Sequence, residues 1–158
     1  MNTTCHLIRD NAEFYTLFTS ELVAGGPRFS SFNKLLAADS PGTPAMTVAQ
    51  LEAFFRAGGI LAVVMTDRGK LIAMATVVRL VKINSTTYRI EHVAVSPDYR
   101  RKGFGRQVMS LISSTIRKEQ HRYADLSVGE GNVAARRLYE SLGFKERESV
   151  QYRYTFPK

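Results

Sequence analysis

Arg100-Arg101-Lys102-Gly103-Phe104-Gly105 packs three basic side chains and two glycines into six residues, directly after the apolar run Val93-Ala94-Val95-Ser96-Pro97. Residues of these types at this spacing, followed by a helical pattern, hold a phosphate. Glycine lets the backbone turn tightly with its N–H groups converging on one spot, and a helix N-terminus adds partial positive charge there. Glu91 and His92 stand just upstream on the same apolar stretch. A carboxylate in a mostly apolar strand is costly unless it is used or paired, so Glu91 is either a base acting through water or the partner of a neighbour such as Arg89 or Lys82. An imidazole suits general-base work, but strand alternation sends His92 to the face opposite Glu91, which favours a half-buried, satisfied histidine. His6, His121 and Cys5 have no sequence partners that suggest catalysis, and no metal is expected.

The surrounding elements must position that loop. Cys5 to Arg9 reads as a strand, and Asp10-x-x-Glu13 opens a helix carrying Phe14, Leu17, Phe18 and Leu22 on one face, stopped by Gly25-Gly26-Pro27. From Arg28 to Met46 the pattern weakens into a long loop, with Phe32, Leu35 and Leu36 giving only a short helical turn. Thr47-x-x-Gln50 repeats the capping logic for a helix with Leu51, Phe54 and Phe55, ending at Gly58-Gly59. Ile60 to Thr66, Leu71 to Lys82 and Thr87 to Val95 are strands whose short connections predict antiparallel neighbours.

After the glycine loop, Phe104, Val108, Leu111, Ile112 and Thr115 recur at helical spacing up to Lys118, and Tyr123 to Val128 reads as a strand. Strand, helix, strand here is a βαβ unit and implies a parallel pair. Asn132 caps a helix with Ala135, Leu138, Tyr139 and Leu142 in line, ended by Gly143. Phe144 to Glu148 and Val150 to Phe156 close as a hairpin. The order β-α-α-β-β-β-α-β-α-β-β predicts an α/β fold of the α+β kind, with one mixed sheet.

Arg100-x-x-Gly103-x-Gly105 after Val-Ala-Val, followed by Asn132-x-x-Ala135-x-x-Leu138-Tyr139-x-x-x-Gly143-Phe144, resembles the GCN5-related N-acetyltransferase (GNAT) family over about the last seventy residues. The first half matches by element order alone. The resemblance implies the acyl-CoA N-acyltransferase fold, acetyl-CoA as co-substrate, and its pyrophosphate on the glycine loop. It implies cofactor contacts from Val93, Ala94, Val95, Arg100, Arg101, Lys102, Gly103, Phe104, Gly105, Arg106, Asn132 and Ala135. Val93 and Val95 would offer backbone groups to the pantetheine as if it were a further strand, and Asn132 would approach the pantetheine or a backbone group of the next strand while also capping its helix.

Moving an acetyl group from thioester to amine requires a base for the amine, a donor to the oxyanion and an acid for the leaving thiolate. A tyrosine hydroxyl, with a reference pKa of about 10, suits protonation of a thiolate whose acid lies near about 8.5. The resemblance makes Tyr139 that acid; otherwise it is a core aromatic. Aminosugar-phosphate members carry a similar Ile-Glu-Asp-x-Ala-Val strand, but His92 stands here in place of the Asp, which departs from that substrate's pattern. The acceptor is a small-molecule amine or a protein amine. Its specificity would lie near Phe14 to Leu22, Arg28 to Met46 and Lys82 to Tyr88. A non-catalytic acyl-CoA-binding module is the alternative.

The chain's 158 residues suit a single domain, 1–158, able to bury a core without staples. Its net charge of +8 favours anionic ligands, but the sequence lacks the interleaved aromatics or recognition motif of a nucleic-acid binder. No apolar run approaches the roughly 20 residues of a membrane span. One cysteine and no secretory pattern point to the cytoplasm. Similar proteins commonly form homodimers, and Tyr152-Arg153-Tyr154 offers a strand for one.

Overall fold

The computed structural model describes residues 2–18, 26–42, 44–118 and 123–157. They fall into two compact units, Met1–Ser127 and Val128–Lys158. The first holds a five-stranded sheet of β1 (Thr3–Ile8), β2 (Ile60–Thr66), β3 (Leu71–Val81), β4 (Thr86–Val95) and β5 (Ala124–Leu126), ordered as in the chain. The first four strands run antiparallel, and β5 joins β4 in parallel with Tyr88, Arg89 and Ile90 opposite Ala124, Asp125 and Leu126. The crossover between them is α4 (Phe104–Lys118), as the βαβ pattern predicts.

Helices α1 (Asn11–Phe18), α2 (Pro27–Asp39) and α3 (Val48–Arg56) bury one sheet face. Phe14, Phe18, Phe32, Leu35, Leu51 and Phe55 pack there on Leu61, Val63, Met65, Leu71, Met74 and Ala94. Helix α4 packs on β2 and β3 through Val108, Met109 and Ile112, all fully buried. β2 is buried along its whole length because both its faces are covered, which explains its continuous apolar run.

The caps follow the sequence. Thr47 and Gln50 form a reciprocal capping box on α3. Asp10 Oδ1 accepts the Glu13 N–H at 2.8 Å, while Glu13 Oε2 accepts from the Arg9 N–H, one residue earlier than a capping box would have it.

Residues 28–39, expected as loop with one helical turn, belong instead to the thirteen-residue helix α2. Pro27 opens it at a position where a missing N–H costs nothing, so the proline that reads as a stop for one helix starts the next. Leu22 and Gly25, expected to extend and end α1, lie outside the described residues, as does His121. β5 is shorter than the expected Tyr123 to Val128.

In the second unit, α5 (Val133–Ser141) is capped by Asn132, whose Oδ1 accepts the Ala135 N–H at 3.1 Å. The hairpin expected over Phe144 to Phe156 is not present: residues 144–157 carry no strand. Val150, Tyr152, Tyr154 and Phe156 alternate as a strand requires but are exposed, and a two-stranded hairpin without a covered apolar face is marginal.

Candidate active site and anion loop

β4 and the segment after it carry most of the sequence-predicted site. The ladder from β5 ends at Ile90, whereas β4 runs on to Val95. From Glu91 to Val95 the β5-side edge of β4 therefore has no ladder partner among the described residues, and its backbone groups can pair with an extended ligand.

The same stretch contains a β-bulge. Thr76 of β3 stands opposite Glu91 and Met74 opposite Ala94, so two residues of β3 span what takes three on β4. Met74 and Thr76 share a face, so Glu91 and Ala94 share it too, and that is the face covered by α1 to α3. His92 takes up the extra residue with φ 51°, a left-handed conformation that costs a non-glycine residue about 1 kcal/mol.

This corrects the alternation argument. His92 is not turned away from Glu91's face: its Nδ1 lies 3.0 Å from Asp39 Oδ2 at the end of α2, on the same side of the sheet. A carboxylate only accepts, so the imidazole donates through Nδ1, leaving the lone pair of neutral His92 on Nε2. The Ser40 hydroxyl also donates to Asp39 Oδ2, at 3.1 Å.

Glu91 is paired as one sequence reading anticipates, with Arg89 rather than Lys82. Arg89 Nε donates to Glu91 Oε1 at 2.8 Å and its Nη2 donates to the Ser127 hydroxyl at 2.7 Å, just after β5. The Thr76 hydroxyl donates to the Glu91 carbonyl at 3.0 Å and pins the bulge.

The glycine loop follows one turn of 3-10 helix, Pro97–Tyr99. Arg101 (φ 60°) and Gly103 (φ 84°) are both left-handed, and a Cβ added at Gly103 would meet nothing within 4 Å. Such a coil presents successive N–H groups to a concavity, and the first-turn N–H groups of α4 lack intrahelical acceptors. Phe104 is a buried anchor, so what it can offer an anion is its N–H. Ala94 is likewise a core side chain, while Val93 and Val95 are half-buried.

Arg100 Nε donates to the Val95 carbonyl at 3.3 Å and Lys102 Nζ to the Asp98 carbonyl at 3.1 Å, fastening both cations to the loop. The Tyr99 ring has the Lys70 and Lys102 ammoniums 5.1 and 5.3 Å from its centroid. Arg101, Gly105 and Arg106 complete the stretch, the two arginines exposed.

Asn132, Ala135 and Tyr139 stand on the second unit. Tyr139 is buried, its ring centroid 6.0 Å from that of Phe144, and its carbonyl accepts the Leu142 and Phe144 N–H groups where α5 ends. Among the described residues no cluster of three or more His, Cys, Asp or Glu could hold a metal ion. Desolvation raises the Cys5 thiol above its ordinary value, which makes it a poorer nucleophile.

Sequence reasoning missed Asp39 and Ser127. Asp39 lies 53 residues from His92 and no periodicity marks it. Ser127 could have been found as the first polar residue after a strand parallel to the one carrying Arg89.

The profile of the acetyltransferase (GNAT) family matches residues 29–144. A ribosomal protein bS18 alanine N-acetyltransferase of Escherichia coli is 38% identical over 82 residues, which cover 52% of this chain and 53% of that protein. The chain thus spans about half the length of the curated relatives it matches. An acetyltransferase of Trypanosoma brucei superimposes with a TM-score of 0.71 at 22% identity, covering 98% of this chain and 100% of the other. Arabidopsis thaliana glucosamine-6-phosphate N-acetyltransferase does so at 0.73 and 17% identity, covering 99% and 100%. These two show the shared fold. With the profile running through the sheet, the glycine loop and α5, the chain belongs to the acetyltransferase (GNAT) family, whose acetyl donor is acetyl-CoA.

Proposed function

We propose that this protein transfers the acetyl group of acetyl-CoA to a primary amine by direct attack, and that its two compact units act as one domain. The observation that carries the reading is the open edge of β4 from Glu91 to Val95 leading directly into the N–H-rich loop at the start of α4. An extended pantetheine fits such an edge, and a pyrophosphate fits such a loop. The profile match crosses the boundary between the units, which supports a single domain.

In the reaction the neutral amine nitrogen attacks the thioester carbonyl carbon, the C–N bond forms, and the C–S bond breaks with its electron pair on sulfur. A β4 backbone N–H donates to the oxyanion. Tyr139 protonates the departing thiolate. Glu91 takes the amine proton through a water, using the carboxylate oxygen that Arg89 leaves open. A second reading of the base has a specific observation behind it: His92, oriented by Asp39, offers Nε2 on the same face of the sheet.

The Escherichia coli relative acts, by its name, on an alanine of a ribosomal protein, which makes a polypeptide amine one acceptor class to test. Aminosugar-type amines are another, since one superimposing structure is a glucosamine-6-phosphate N-acetyltransferase. A cytoplasmic setting fits the single cysteine, and no described helix is long and apolar enough to cross a membrane. A homodimer through residues 152–154 remains part of the proposal. The test is an acetyl-transfer screen over chemically diverse amines; a protein that binds CoA but releases its thiol to none of them is the binding module instead.

A further inference from the structure

A cavity of about 510 Å³ opens beside the glycine loop, between α2 from Ser30 to Ala38, the β2–β3 turn and the residues just after β4. Lys34, Arg68 and Lys70 line it together with Ser30, Ser96 and Asp98. None of the three cations has a carboxylate partner among the described residues. Three cations against the one Asp98 carboxylate give the lining a formal charge of plus two, with all three cations exposed at its rim. Like charges gathered in this way raise the local positive potential and favour an anionic ligand.

The backbone holds these side chains in place. Ser30 and Lys34 stand four apart on α2 and so share a face. Arg68 and Lys70 flank Gly69, whose φ of 76° only glycine adopts readily, and whose missing Cβ leaves room for Arg28 Nε at 3.0 Å. The turn is closed by Gly69 N–H donating to the Thr66 carbonyl at 2.9 Å and Thr66 N–H donating to the Lys70 carbonyl at 3.0 Å. Lys70 is further held over the Tyr99 ring.

We propose that this cavity is a second anion site, apart from the pyrophosphate loop, that takes an organic phosphate monoester. The charge decides the headgroup: a phosphate monoester carries about −1.5 to −2 near neutrality, matching the two uncompensated charges, whereas one carboxylate leaves a cation unmatched. The volume decides the rest, because it lies in the range of small-molecule pockets, about 300–1,000 Å³, and exceeds what bare phosphate fills. The monoester belongs either to the ribose 3′-phosphate of CoA itself or to a separate molecule such as a phosphorylated acceptor.

The test is an amide-resolved NMR titration of the full chain with ribose 5-phosphate, and with ribose as control. Saturable shifts at Ser30, Lys34, Arg68, Lys70 and Ser96 with the phosphate alone are expected. Lys34→Ala/Arg68→Ala/Lys70→Ala should weaken that binding by about tenfold or more, the scale of a lost charge-assisted bond. Arg117→Ala/Lys118→Ala/Lys145→Ala, removing the same charge elsewhere, should leave it unchanged. Loss of the shifts under saturating CoA but not under dephospho-CoA assigns the site to the cofactor's 3′-phosphate; persistence under CoA assigns it to a separate ligand. No saturable shift at these amides, or equal binding by the first triple variant, overturns the proposal. Failure to bind CoA at all overturns the proposed function instead and leaves the ribose 5-phosphate result standing by itself.

Discussion

The Glu91 carboxylate and the Arg89 guanidinium lie 2.8 Å apart on one face of β4, two residues apart in sequence, and Arg89 reaches on to Ser127 beyond β5. The pair spans the point where β5 stops pairing, so it fixes Glu91 where the free edge of β4 begins. Glu91→Gln keeps the shape and removes the proposed base. The turnover number should fall by about 100-fold or more, within the range of general-base contributions. Steady-state kinetics with any accepted amine measures it.

His92 and Asp39 are the built-in comparison. His92→Gln and Asp39→Asn should each lower turnover by less than about tenfold, because each alters the neighbouring dyad and leaves Glu91 in place. A loss of about 100-fold or more in His92→Gln, with Asp39→Asn reducing turnover in parallel and Glu91→Gln costing less than about tenfold, transfers the base to His92.

Tyr139→Phe removes only a hydroxyl from a buried ring whose packing against Phe144 can persist. Turnover should drop by about 100-fold or more with the CoA dissociation constant almost unchanged. Calorimetric titration with CoA beside the kinetic assay separates an acid from a core aromatic.

Gly103→Ala places a side chain on a backbone with φ 84° but into open space. Its stability cost should therefore be conformational alone, about 1 kcal/mol in a denaturant melt. A larger fractional loss of CoA affinity than of stability is expected, since the added methyl group occupies the concavity that the loop offers to an anion.

The sheet's centre supplies a control on fold. Leu61 is fully buried between β2 and the helices above it, so Leu61→Ala should cost about 2–5 kcal/mol through lost transfer energy and a residual cavity. Urea unfolding monitors it, and Thr47→Ala, which removes one side of the α3 capping box, should cost only about 1 kcal/mol.

Much of this was legible in the residues. The unbroken apolar run from Ile60 to Met65 marks a strand covered on both faces, and Thr47 and Gln50 cap their helix as their spacing requires. Asn132 caps α5, and the glycine loop opens α4. The exceptions have local causes. Helix α2 hides because Ser30, Ser31 and Asn33 dilute its apolar stripe and Pro27 reads as an end rather than a beginning. The bulge at His92 is invisible because one extra residue leaves the hydrophobic pattern of β4 intact while reversing which side chains share a face. The Asp39 to His92 bond depends on both, so it could not be read before either.

The most direct measurement follows free thiol and acetylated product together when purified protein, acetyl-CoA and a panel of amines, including polypeptide N-termini and aminosugars, are mixed. At least one amine should be acetylated with one CoA thiol released per product, and both signals should fall together in Tyr139→Phe. Tight CoA binding with thiol release no faster than in buffer across the panel contradicts the proposed transfer.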